Sequence, residues 1–111
     1  MLHSIDGVRQ RLEVERERLT EDIQRLTAVH YGRSSYSNHP ADSATDVSVD
    51  AMNGALLQIR SRHLEMVENA LRRLEDGTYG ICEGCGREID PARLEVLPEA
   101  HLCVECQARL G

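Results

Sequence analysis

Four cysteines constrain this chain more than any other feature. Cys82, Cys85, Cys103 and Cys106 form two C-x-x-C pairs with seventeen residues between them, and there is no fifth thiol. Each C-x-x-C turn offers two thiolates from one knuckle, and the intervening segment brings the second pair round, so the spacing points to a tetrahedral site for one Zn2+ ion. Four sulfur ligands close the coordination shell and make the site structural, since a catalytic zinc keeps one position for water. Two disulfides, iron or dithiol redox chemistry are the alternatives, and disulfides need an oxidising compartment that nothing in the sequence indicates. Gly84 and Gly86 flank Cys85 as a tight knuckle requires, Arg87 is placed to soften the local negative charge, and His101 reads as a surface histidine because four sulfurs already suffice.

Two long periodic stretches precede the cysteines. Ile5, Leu12, Leu19 and Leu26 form a heptad row with Val8 and Val29 beside it, a coiled-coil seam weakened by Glu15 and Asp22 in the companion row and by Ile23. Ser4 is the expected N-cap, Gly32 the expected stop, and Arg18/Asp22 and Glu21/Arg25 are neighbouring opposite charges. The second stretch runs from about Val47 to Leu74 and is closed by Gly77. Leu57, Leu64 and Leu71 form one row with Val67 and Leu74, while Met52, Leu56, Ile59, Met66 and Ala70 form another, so the apolar face covers roughly half the cylinder and exceeds what one partner helix fills. Gly54 is a soft point near its start, and His63 in the apolar sector reads as a packed imidazole.

Residues 33 to 46 are turn formers and small residues, hence a connector, although Pro40 and the Ser43/Asp46 pair are helix-start signals that allow the second helix to begin as early as Pro40. Helices of about 25 and 30 residues folded antiparallel would project roughly 40 Å, with the connector at the tip and the cysteines at the other end. By chemistry alone Asp42, Asp46 and Asp50 complement the positive end of the helix dipole. Downstream, Asp90-Pro91 reads as an N-cap and first helical residue of a short turn, and Val104 to Leu110 as a final short helix. The expected fold is all-α: an antiparallel helical hairpin over residues 1–76, with its tip loop around 32–46, followed by a four-cysteine module over 77–111.

Composition excludes several function classes. Phe and Trp are absent and only three Tyr are present, so the core is aliphatic and thin, poor material for a deep substrate pocket. All thirteen basic residues are Arg, against nineteen acids, for a formal charge of −6; four thiolates on one divalent ion add two more negatives, which opposes binding to phosphate backbones. No apolar stretch approaches the roughly 18 residues of a membrane span, and the start lacks an export pattern, so a cytoplasmic, non-membrane protein is expected. There is no glycine-rich phosphate loop and no nucleophile beside a base, so no enzyme is expected.

Three stretches resemble the DksA/TraR family of bacterial transcription regulators. Residues 71–86, Leu-Arg-Arg-Leu-Glu-Asp-Gly-Thr-Tyr-Gly-Ile-Cys-Glu-Gly-Cys-Gly, are similar to the family's approach to its first knuckle. Arg93-Leu94-Glu95, Pro98 and Leu102-Cys103-Val104-Glu105-Cys106 are similar to its approach to the second, and Asn38 to Thr45 resemble its coiled-coil tip. The resemblance implies a protein that binds RNA polymerase, enters its secondary channel and sets the tip near the catalytic Mg2+, altering open-complex stability without sequence-specific DNA binding. Asp42 and Ala44 then match the tip aspartate and alanine, with Asp46 nearby, and His39 stands where the family often carries another aspartate. Positions through which responsive members contact guanosine tetraphosphate match Ile59, Met66, Leu97 and Gln107, so binding of that nucleotide is not expected. The competing reading is a zinc-stapled coiled-coil adaptor or homodimer whose wide second-helix face binds another protein.

Overall fold

The computed structural model describes residues 5–34 and 43–110. Four helices account for most of them: α1 (Ile5–Ser34), α2 (Ser43–Asp76), α3 (Pro91–Val96) and α4 (Val104–Leu110). The fold is all-α, and the described residues contain no strand beyond an isolated antiparallel bridge between Ile81 and Glu88. α1 runs through Gly32 to Ser34 instead of stopping there. One glycine costs a helix only about 1 kcal/mol, too little to end it by itself. α2 is described from Ser43, ahead of Val47, and the earlier start at Pro40 lies outside the described residues. It ends where expected: Gly77 takes φ 79°, and the N–H groups of Thr78 and Tyr79 both donate to the Arg73 carbonyl, at 3.0 and 3.1 Å, closing the helix with a left-handed cap.

The chain divides into two compact units, Glu17–Leu64 and Met1–Arg16 with Glu65–Gly111. The first turns of α1 therefore group with the last turns of α2, as antiparallel helices require. Within Glu17–Leu64, Leu19 is buried, and the Asp22 carboxylate pairs with Arg25 at 2.6 Å and reaches Arg60 of α2 at 3.9 Å. Asp22, which breaks the heptad row of α1, thus has partners on its own helix and across the pair. Met52 and Ile59 are 62% and 57% exposed, so the broad apolar face of α2 is only partly covered.

Within the other unit, Val8 and Leu12 of α1 and Val67, Ala70 and Leu74 of α2 are buried. A second cluster, Cys82, Ile89, Leu102 and Cys106 with Leu94 and Cys103 packed on it, forms the core of the finger. Polar ties join helix and finger here: Arg11 Nη2 donates to the Glu95 carbonyl at 3.2 Å, and Asn69 Nδ2 donates to the Glu83 carboxylate at 3.0 Å.

Candidate metal centre

The finger starts from the α2 cap. Main-chain bonds from Cys82 N to Arg87 O at 2.7 Å, Gly86 N to Cys82 O at 2.9 Å and Ile89 N to Gly80 O at 2.8 Å fold residues 80–89 into a tight loop that presents Cys82 and Cys85 together. The return path is α3. Asp90 caps it by accepting the Ala92 N–H at 3.0 Å, Pro91 occupies the first turn, and the Leu97 N–H closes the far end on Arg93 O, as the Asp-Pro signal predicts. Tyr79 donates its hydroxyl to the Pro98 carbonyl at 2.8 Å and pins that path to the α2 end. Its hydroxyl pKa is raised, first by burial, with Arg11 opposing. Cys103 then precedes α4, and Cys106 lies in that helix's first turn.

These segments bring the four sulfurs within 4.8 Å of one another. A tetrahedron of ~2.3 Å zinc–sulfur bonds has edges of ~3.8 Å, and the Cys85 and Cys103 sulfurs lie 3.9 Å apart. Backbone amides point at the sulfurs: Gly84 N and Cys103 N both donate to Cys82 Sγ at 3.3 Å, and Cys106 N to Cys103 Sγ at 3.5 Å. Such donors favour thiolate. Cys82 is pushed down to about 6, first by the Cys103 N–H, then against burial by the Cys85 and Gly84 amides and the Cys106 thiol. Cys106 is pushed up to about 12, because the Cys82 and then the Cys103 sulfur hold its proton, and burial adds to this. The Cys82 thiolate thus suppresses ionisation of Cys106, a repulsion that a divalent cation among the sulfurs would offset. The donor set fits one structural zinc ion, held by Cys82, Cys85, Cys103 and Cys106.

His101 contributes through its backbone, its carbonyl accepting the Glu83 N–H at 2.8 Å. The Arg87 side chain is exposed. Gly84 is required by space: a Cβ there would lie 2.9 Å from Cys106 Sγ and 3.2 Å from Cys106 Cβ. We expect Gly84→Ala to displace the second knuckle and weaken zinc binding at least ~10-fold, the lower end of losses seen on disturbing the surroundings of metal ligands. Competition with a chromophoric chelator measures this, and an unchanged affinity would contradict it.

Of the tip residues, His39 and Asp42 lie outside the described residues. Ala44 and Asp46 belong to the start of α2. Sequence reasoning missed Asn69, Arg73 and Glu83, which link α2 to the first knuckle. The available signal was Arg73 itself, a charge three residues after Ala70 and beside Leu74 in the apolar phase of the helix.

Residues 77–110 match the family model of the prokaryotic dksA/traR C4-type zinc finger. General stress protein 16O of Bacillus subtilis is 38% identical over 94 residues, covering 85% of this chain and 54% of that protein. The RNA polymerase-binding transcription factor DksA of Caulobacter vibrioides is 36% identical over 108 residues, 95% of this chain and 74% of that protein. The structure of transcription factor DksA2 from Pseudomonas aeruginosa superposes with a TM-score of 0.81 at 28% identity, covering 96% of this chain and 81% of that one. The chain thus spans about half the length of the first of these relatives.

Proposed function

Because the chain belongs to the DksA/TraR C4-type zinc-finger family, we propose that it is a zinc-containing regulator that binds RNA polymerase through the secondary channel and changes the stability of open promoter complexes. The observation that carries this reading is the 36% identity to an RNA polymerase-binding transcription factor across 95% of the chain. The metal module, residues 77–111, holds the finger together, and the helical pair, residues 1–76, presents the tip, where Asp42 and Ala44 act with His39 and Asp46 nearby. Asp42 works by charge and hydrogen bonding near mobile parts of the polymerase active site, and the protein itself catalyses nothing. Its formal charge of −6 opposes direct DNA binding. A regulator of RNA polymerase works in the cytoplasm, and among the described residues no helix is long and apolar enough to cross a membrane. Guanosine tetraphosphate is not a ligand in this reading: Ile59, Met66, Leu97 and Gln107 offer no cation at the matching positions.

In vitro transcription with the cognate polymerase tests the proposal. The wild type is expected to change open-complex lifetime, Asp42→Asn to lose that effect while still binding polymerase, and added guanosine tetraphosphate to change neither. Lifetimes unaltered by the wild type would remove the channel reading. A tight dimer that ignores polymerase would replace it with the coiled-coil adaptor.

A further inference from the structure

Two arginines stand in equivalent places around the metal centre. Arg73, in the last turn of α2, is the buried charged side chain among the described residues, 9% exposed. Its Nη2 donates to the carbonyl of Ile81, the residue immediately before Cys82. Arg93 of α3 donates from Nε to the carbonyl of Leu102 at 3.1 Å, the residue immediately before Cys103. Each knuckle is therefore gripped by a guanidinium at the peptide leading into its first ligand.

A buried guanidinium is costly unless it is paired and hydrogen-bonded. Arg73 obtains its partners from the first knuckle: the Ile81 carbonyl and the Glu83 carboxylate, 3.5 Å from Nη1. Glu83 lies between Cys82 and Cys85, and its carboxylate also accepts from Asn69, one helical turn before Arg73. The Arg73 carbonyl in turn holds the cap of α2 through Thr78 and Tyr79. A zinc ion on four thiolates leaves two net negative charges, which favour cations beside it where water is excluded.

We propose that Arg73 and Arg93 are positioning residues of the zinc centre, one for each knuckle, and that Arg73 couples metal occupancy to the order of the last turn of α2. The ion fixes the knuckle, the fixed knuckle holds the Ile81 carbonyl and Glu83 in place, and these supply the partners that the buried guanidinium needs. Coupling of this kind is reciprocal: loosening the grip of Arg73 weakens zinc binding, and releasing zinc loosens residues around Arg73. Arg93 grips the other knuckle from α3, so its loss lowers zinc affinity without uncoupling α2.

The test uses the full chain with Arg73→Met, Arg73→Lys, Arg93→Met and Glu83→Gln, and Arg87→Met as a control that removes an equal charge without a carbonyl grip. Zinc affinity is read by chelator competition, the ligand set by the visible absorption of bound Co2+, and α2 by amide hydrogen exchange over residues 66–76 with and without zinc. Arg73→Met and Arg93→Met are expected to lower affinity about 10-fold to 100-fold, with Arg73→Lys recovering part of the loss and the four-sulfur cobalt spectrum retained. Zinc should protect the α2 amides in the wild type and in Arg93→Met, but no longer in Arg73→Met and less in Glu83→Gln. Should Arg73→Met fail to fold, the lysine and glutamine variants carry the same comparison. An equal loss in Arg87→Met, or zinc-dependent protection of α2 undiminished in both Arg73→Lys and Glu83→Gln, overturns the proposal.

Discussion

Cys82→Ser is expected to abolish zinc retention and to unfold residues 77–110 while leaving most of the helix content intact. Cys82 is the most deeply placed ligand, 2% exposed, and its sulfur accepts two backbone N–H groups. Serine replaces a soft thiolate with a hydroxyl that stays protonated, so the ion loses a ligand at the centre of the knuckle. The apolar cluster of the finger consists of Ile89, Leu102 and Leu94 besides the cysteines themselves, too few groups to offset the entropy of ordering the segment without metal. Structural zinc contributes about 10–16 kcal/mol in small finger peptides, comparable to the whole stability of an ordinary domain, about 5–15 kcal/mol. α1 and α2 have 30 and 34 residues, whereas α3 and α4 have 6 and 7, so the far-ultraviolet dichroism should fall only modestly. Trypsin should cut readily after Arg87 and Arg93 in the variant, and in the wild type only after a strong chelator is added. One bound zinc per chain in Cys82→Ser, with the finger still resistant, would refute this.

Leu12→Ala should destabilise the unit containing the base of the helices by about 2–5 kcal/mol, whereas Ile5→Ala should change stability by no more than about 0.5 kcal/mol. Both residues occupy the same heptad row, yet Leu12 is fully buried and Ile5 is 59% exposed. Truncating Leu12 removes its transfer free energy and leaves a cavity in a core that has few other large side chains, with Val67 the other fully buried aliphatic one. For a domain of this size each 1 kcal/mol lowers Tm by roughly 4–8 °C, so the two variants should separate clearly when melted in the presence of zinc. Equal melting temperatures would show that the seam is not packed as described.

Much of the fold is legible because its signals are local. The metal ligands follow from C-x-x-C spacing, the α3 cap from Asp90-Pro91, and the end of α2 from Gly77. The same local reasoning stops α1 too early, at Gly32, because a glycine is a weak terminator when neighbouring residues continue the helix. It does say that the apolar face of α2 exceeds what one partner helix fills, but not which residues stay uncovered: Ala70 is buried and Met52 and Ile59 are exposed. Periodicity states which residues share a side of a helix, not how far along that side a partner reaches.

What the outer parts of the metal centre grip was not legible, even though Arg73 stands out as a charge in the apolar phase of α2. The carbonyls that Arg73 and Arg93 meet are hidden until the chain is folded, because every residue offers one. Spacing and composition by themselves determined the ligand set, the helical class and the acidic character, since each depends on residue type and short-range geometry. Tertiary structure alone decided which carbonyl each guanidinium meets, which leucine is sealed from water and why residue 84 has no room for a Cβ, since these depend on distances between segments far apart along the chain.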